Sequence, residues 1–237
     1  MREIEAIAVD IFGTTVDWRT GVVDGLHRLA ADKDLSFGAG ALADAWRERY
    51  LPAVAQINSG ERAWANLDTI HAEALDECLD LFGYSEHFGA AEREEMVRAW
   101  YVLPPWRDSL DGLRKLRENH IVVALSNGGF ALLTRLIKTA GLPFDAVISA
   151  ENVQAYKPDV RAYRHAARLL DLPPDRILMV AAHTWDIDGA RAAGLRTAFV
   201  ERPDEKGPGR TADRAEDTTC DLTAQSFTEL ADALVRG

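Results

Sequence analysis

The sequence predicts an α/β protein built on a parallel sheet, with an all-helical unit inserted after the first strand. Three observations carry this. Short apolar runs at 7–9, 121–125, 146–148, 177–181 and 197–200 are mostly β-branched and show no alternation, as expected of strands covered on both faces. Between about residue 105 and 200 these runs alternate with helix-like segments, which places helices on both sides of the sheet. Residues 18–100 show helical spacing and no strand-like run. The result is a Rossmann-like core with a helical cap.

Taken in order, the first run ends at Asp10, and Gly13 and Thr14 follow as turn residues. The insert then shows two helical faces, Leu42, Trp46, Arg49 and Tyr50, and Leu67, Ile70, Ala74, Leu75 and Cys78. Breaks are expected at 36–40, 58–60 and 82–89. Because about 80 residues separate the first strand from the rest of its sheet, the insert is expected to sit over the sheet edge. Leu110, Leu113 and Leu116 share a helix face behind an Asp108 cap, and the helix from 130 stops at Gly141. Val160, Tyr163, Ala167 and Leu170 follow Pro158 at a helix start, and Ile187 to Ala193 ends at Gly194. Residues 201–217, rich in Pro, Gly and charge, are expected to form a solvated loop, and 227–235 a short C-terminal helix. The expected division is residues 1–17 and 101–237 for the core, and 18–100 for the cap.

Composition narrows the classes of function. The chain has 237 residues, 47% of them hydrophobic, enough for a large packed core. Its formal net charge of -11, with no compensating basic run, argues against nucleic acid and anionic membrane partners. Cys78 and Cys220 fit neither a metal-ligand spacing nor a disulfide framework and suit a reducing cytosol. The N-terminal apolar run is too short for a signal h-region or a membrane span, so the expected compartment is the cytoplasm.

In open parallel sheets, ligands bind beyond the carboxyl ends of the strands. Those ends carry Asp10, then Ser126-Asn127-Gly128-Gly129, then Tyr156-Lys157-Pro158, then His183-Thr184-Trp185-Asp186. Singly, Asp10 and Asp186 fit helix or turn caps, Ser126 and Asn127 a turn, and Lys157 a solvated charge. Four polar ends converging on one edge point instead to a site.

Asp10-x-Phe12-Gly13-Thr14, Ser126-Asn127-Gly128, Lys157-Pro158-Asp159 and Trp185-Asp186, in that order, resemble the four motifs of the haloacid dehalogenase superfamily. More narrowly they resemble its type II L-2-haloacid dehalogenases. The resemblance covers nearly the whole chain and implies the HAD-like hydrolase fold. A carboxylate in such a turn is held by successive backbone N–H groups, and Gly13 lets a substrate approach the backbone. Asp10 is therefore expected to be a nucleophile that forms an ester or acyl-phosphate intermediate.

Phosphatases of the superfamily carry an acid two positions after the nucleophile, and here that position is Phe12. Phe12 has no proton for a leaving alkoxide. Their last motif offers a Gly-Asp pair ahead of a further Asp. This chain has Ala181-Ala182 ahead of Asp186, so one magnesium carboxylate is missing. A halide leaves without protonation. The resemblance thus implies metal-independent, cofactor-free hydrolysis of short L-2-haloalkanoic acids or haloacetates, with a magnesium-dependent phosphatase acting on a small phosphate ester as the alternative.

What the resemblance implies for the remaining residues is specific. Arg47, in the first part of the cap, faces the active site and with Asn127 receives the halide; Ser126 and backbone N–H groups hold the substrate carboxylate. Thr14 hydrogen-bonds Asp10, Lys157 stabilises charge and, with Asp186, positions or deprotonates the water, and Tyr163 matches the family's tyrosine. Ile11 and Phe12 beside the nucleophile, with Trp64 and Leu67, are candidates for the substrate wall, although Trp64 and Leu67 fit plain cap core equally well. Where the family commonly has Ser-Ser-Asn before Trp-Asp, this chain has Ala181-Ala182-His183. His183 is a candidate to orient the water, to act as a base, or simply to hydrogen-bond Asp186. Similar sequences with Ala-Ala-His resemble enzymes active on haloacetates, fluoroacetate included. The family commonly forms homodimers through the cap, and the helical insert with Trp46, Trp64 and Trp100 is compatible with that.

Overall fold

A computed structural model describes residues 4–31, 33 and 35–236. Six strands, β1 (Ala6–Val9), β2 (Ile121–Ser126), β3 (Ala146–Ser149), β4 (Ile177–Ala181), β5 (Arg196–Val200) and β6 (Leu222–Ala224), form one sheet in the order β3-β2-β1-β4-β5-β6. Every pairing is parallel. β1 lies centrally, with Val9 opposite Ala124 of β2 and Val180 of β4. The chain passes to one side of β1 through β2 and β3 and to the other through β4, β5 and β6. Asp10 therefore leaves the sheet at the topological switch point, where such folds open a crevice.

The five expected runs are strands; the sixth, Leu222–Ala224, is too short to leave a pattern. In β1, Ile7 and Val9 pack into one core layer while Ala6 and Ala8 pack into the other. Small residues on that second face let α8 (Val160–Leu169) and α9 (Thr184–Ala193) lie close to the sheet. The other layer holds α6 (Ser109–Arg117), α7 (Phe130–Ala140) and α10 (Phe227–Arg236). Gly141 and Gly194 end α7 and α9 in the left-handed conformation, as their spacing predicts.

Between β1 and β2 the described residues contain helices and no strand: α1 (Trp18–Ala30), α2 (Ala39–Glu48), α3 (Tyr50–Ser59), α4 (Leu67–Leu81) and α5 (Ala90–Arg98). The face expected to run through Trp46, Arg49 and Tyr50 is divided at Arg49 into α2 and α3. Pro52 explains the break, because proline is accommodated in a first helical turn but not in a helix interior. Trp64 precedes α4 rather than lying on it. The insert is tied to the sheet edge on both sides: Asp17 N–H bonds to Pro104 O at 2.9 Å, Trp106 N–H to Thr15 O at 3.1 Å, and the Trp106 indole to Gly13 O at 2.9 Å. Farther along, Asn58 grips the Tyr156 backbone through both its N–H and C=O, at 3.0 and 2.9 Å.

Two expectations need correction. Asp108 stands at the start of α6 but makes no side-chain cap. Its carboxylate instead takes the Arg202 guanidinium in a fork, at 2.9 and 3.1 Å, and the Phe227 N–H at 2.7 Å. The segment 201–217 is not simply solvated either. Arg202 and Glu205 are 7% and 3% exposed, and Arg202 Nε donates to Thr14 O at 2.9 Å. Charge that reads as solvent-seeking in sequence is here paired and buried. Asp108→Ala would leave a nearly buried guanidinium unpaired, so we expect a loss of about 3 kcal/mol, the range for breaking such pairs. Urea unfolding checks this, and a change within about 0.5 kcal/mol would mean the pair is only a surface contact.

Candidate active site

Three strand ends and one turn bring the predicted residues together. Asp10, 4% exposed, follows β1 directly. Thr14 Oγ1 donates to Asp10 Oδ2 at 2.7 Å and accepts the Ala182 N–H at 2.9 Å, which joins the first turn to the end of β4. Lys157, 1% exposed, places its ammonium between two carboxylates, 2.9 Å from Asp10 Oδ1 and 2.5 Å from Asp186 Oδ2. Tyr163 donates to Asp186 Oδ1 at 2.6 Å. His183 Nδ1 lies 3.4 Å from Asp10 Oδ2, a charge contact rather than a well-formed hydrogen bond.

The electrostatics follow from this packing. Burial alone would raise the Asp10 carboxyl, but the Lys157 ammonium and the His183 ring hold it far below the ordinary carboxylate range. Burial works against the Lys157 charge, yet Asp10 and Asp186 keep its pKa raised. At Asp186, burial raises the pKa more than Lys157 lowers it, and the Asp10 charge adds to the rise. Burial also opposes a charged His183, but Glu205 and Asp10 outweigh it and lift the ring to about 10. The ring is thus held in its charged form here, and its hydrogen bond goes to Glu205 rather than to Asp186.

Glu205 is the residue that sequence reasoning missed. Its Oε1 faces His183 Nε2 at 3.2 Å and accepts from the Trp18 indole at 2.8 Å. Burial raises its pKa, but His183, Arg47 and Trp18 bring it below the ordinary value. Gly13 has φ +88°, and a Cβ there would stand 2.5 Å from Glu205 Oε1 and 3.0 Å from His183 Cε1. The space at Gly13 therefore belongs to Glu205 and His183 rather than to a substrate. Only glycine fits.

Above them is a cavity of about 280 Å³ lined by Trp18, Arg47, Tyr50, His183, Trp185 and Glu205 among others. Arg47 lies over the rings of Tyr50 and Trp18, 4.7 and 5.4 Å from their centroids, and lines this cavity with them. Arg49 points away and pairs with Glu77. Asn127 differs from expectation. Its carboxamide donates to Lys157 O at 2.9 Å and Tyr50 Oη at 2.5 Å, and it accepts the Lys157 N–H at 2.7 Å. Both of its N–H donors are spent on fixing Lys157 and Tyr50. Ser126 Oγ accepts the Gly128 N–H at 3.2 Å, which leaves its own hydrogen for a ligand. Phe12 packs edge-on to Trp100, which stacks on Trp18. Ile11 is buried in the core. Trp64 stacks on Tyr156 and Leu67 packs in the cap core, and neither lines this cavity. A larger groove of about 600 Å³ between α4 and α5 holds none of these residues.

Residues 4–194 match the sequence profile of haloacid dehalogenase-like hydrolases. The chain belongs to that family. Among proteins similar to it, (S)-2-haloacid dehalogenase 1 of Pseudomonas sp. strain CBS-3 is 30% identical over 205 residues, spanning 85% of this chain and 86% of that one. The (S)-2-haloacid dehalogenase of Pseudomonas sp. strain YL is 31% identical over 207 residues, spanning 85% and 84%. The crystal structure of a defluorinating L-2-haloacid dehalogenase superposes with a TM-score of 0.95 at 41% identity, covering 99% of this chain and 96% of that one. Within this family fold, nothing in the local pattern of residues 201–217 announces Glu205. A single glutamate in a charged loop carries no period, and only the long-range contact to His183 distinguishes it.

Because folding raises the pKa of His183 from 6.5 to about 10, its charge adds stability that is complete below 6.5 and lost as pH rises through about 10. Thermal melts of the protein and of His183→Asn should therefore differ most near pH 6.5 and converge toward pH 10. A difference independent of pH would show that the ring is not charged in the folded state.

Proposed function

We propose that this protein hydrolyses the carbon–halogen bond of short L-2-haloalkanoic acids and haloacetates to 2-hydroxy acids, without a metal, through an ester on Asp10. The observation that carries this reading is Asp10 itself. It is a buried carboxylate kept ionised by Lys157 and His183 at the end of β1; His183 also lines the cavity that Arg47 lines from the cap, and position 12 carries Phe12 rather than an acid. The names of the relatives, (S)-2-haloacid and haloacetate dehalogenases, agree with it.

Asp10 attacks C2 in line with the departing halide and inverts the carbon. The Ser126 hydroxyl holds the substrate carboxylate. Arg47 and the Tyr50 hydroxyl, which receives an N–H from Asn127 and keeps its own proton, meet the halide as its charge develops. In the second half, water attacks the ester carbonyl carbon while Lys157, fixed by Asp186, Tyr163 and Asn127, stabilises the oxyanion. A carbon–fluorine bond falls within the same reading, since the relative at 41% identity is described as defluorinating.

On this reading, residues 18–100 act as the cap over a core of 1–17 and 101–237. The enzyme works in the cytoplasm, where the free thiols of Cys78 and Cys220 stay reduced, and it pairs through the cap as a homodimer. No described helix is long and apolar enough to cross a membrane.

Ion chromatography of free halide tests the function. With a metal chelator present, we expect halide from L-2-chloropropionate and chloroacetate, none from D-2-chloropropionate, and none from any of them with Asp10→Asn. Turnover undiminished in Asp10→Asn, or magnesium-stimulated release of phosphate from esters in place of halide, would overturn the reading.

A further inference from the structure

Lys157 carries its ammonium on a long, flexible stem, so where the charge stands depends on where its backbone is held. Residues 155–158 lie in neither a strand nor a helix. Two carboxamides hold them instead, on consecutive residues. Asn127, just after β2, accepts the Lys157 N–H at 2.7 Å and donates to Lys157 O at 2.9 Å. One residue earlier, Asn58 accepts the Tyr156 N–H at 3.0 Å and donates to Tyr156 O at 2.9 Å. A carboxamide has both donor and acceptor, so each fork matches one residue's N–H and C=O as a neighbouring strand would. The peptide that joins Tyr156 to Lys157 therefore has its C=O held by Asn58 and its N–H held by Asn127.

The two forks come from different parts of the molecule. Asn58 stands in the last turn of α3, in the helical insert and 98 positions from Tyr156. Around it the insert closes on Tyr156 from two further positions: Trp64 stacks on the ring at 4.6 Å, and Tyr156 Oη donates to Ala65 O at 2.7 Å. Tyr156 is fully buried between them. None of Asn58, Trp64 and Ala65 lines the cavity above Asp10. Their contacts converge on the residue that precedes the lysine.

We propose that Asn58 is a positioning residue for Lys157, and that through its grip on Tyr156 the insert sets the place of the ammonium that stabilises the oxyanion of the Asp10 ester. This rests on the dehalogenase reading above. The ammonium has little freedom, since Lys157 is 1% exposed and its Nζ stands 2.9 Å from Asp10 Oδ1 and 2.5 Å from Asp186 Oδ2. Without Asn58 the peptide is held from the Asn127 side alone and can turn about that bond, carrying the lysine with it. The two chemical halves feel this unequally. In the first, Thr14 still holds Asp10 Oδ2, and Arg47 and the Tyr50 hydroxyl still meet the halide. In the second, the charge that develops on the ester carbonyl faces Lys157 itself. Because the grip comes from the insert, the lysine is fully placed only when the insert is seated on the sheet edge.

The test is a single turnover of L-2-chloropropionate in the native protein and in Asn58→Ala, with halide followed by quench and the alkylated enzyme by intact mass. Tyr156 O keeps the Asp159 N–H at 2.9 Å in that variant, and the halide released per enzyme in the first turnover counts the sites that remain folded. We expect the alkyl-enzyme to accumulate, its hydrolysis slowed about 100-fold, the loss that a misplacement of about 1 Å produces, while halide release slows far less. Asn58→Asp is isosteric and still accepts the Tyr156 N–H. It should accumulate ester to a smaller extent, and it carries the test if Asn58→Ala does not fold. Tyr156→Phe breaks the bond to Ala65 and keeps the Asn58 fork, so it should slow hydrolysis far less than Asn58→Ala. Hydrolysis unslowed in Asn58→Ala, slowed only in proportion to halide release, or slowed equally in Tyr156→Phe would mark a simple tether of the insert. Any of these would overturn this inference and leave the dehalogenase reading standing. No halide from the native protein would overturn both.

Discussion

One ammonium shared by two buried carboxylates is the constraint on which the rest of the site depends. Lys157 is almost fully buried and touches Asp10 and Asp186 together. Such charges are costly to remove from water unless every donor and acceptor is met. The surroundings supply those partners. Asn127 and Asn58 fix the backbone of Lys157 and Tyr156, Tyr163 takes the outer oxygen of Asp186, and Thr14 takes the second oxygen of Asp10. A further carboxylate, Glu205, and two further cations, His183 and Arg47, complete the set. Among these six groups three anions, Asp10, Asp186 and Glu205, face three cations, Lys157, His183 and Arg47.

The same constraint links the two chemical halves. Alkylation of Asp10 removes an anion from the centre and leaves Lys157 and His183 less compensated. The change at Lys157 helps the next step, since an undercompensated ammonium binds an oxyanion more strongly. The cap takes part through Trp18, Arg47 and Tyr50, and the cavity is formed only where cap and core meet. Closure and charge balance are therefore a single problem in this fold.

Much of this was legible in the sequence because strand ends are where local pattern and site coincide. Asp10, Ser126, Lys157 and Asp186 each follow a short apolar run, and the parallel order of the strands brings them to one edge. The insert was legible as helices, but its division at Arg49 turned on Pro52, whose effect depends on being in a first turn. Glu205 and Arg202 could not be read from the chain because a charged, glycine-rich segment looks solvated whether or not a distant partner buries it. Asp108 suited a cap by position and was instead drawn to Arg202, a stronger donor than a helix N–H. Asn127 spends both its donors on holding Lys157 and Tyr50 in place, a use that its position after β2 does not announce.

The nucleophilic role of Asp10 is tested most directly by a single turnover in H₂¹⁸O with enzyme in excess, followed by mass analysis of the peptide containing Asp10 and of the product. If Asp10 forms the ester and water attacks its carbonyl carbon, the label enters the Asp10 carboxylate and the first-turnover 2-hydroxy acid carries unlabelled oxygen. Label in the hydroxy acid with Asp10 unlabelled would show that water attacks the substrate carbon itself and would contradict the covalent route.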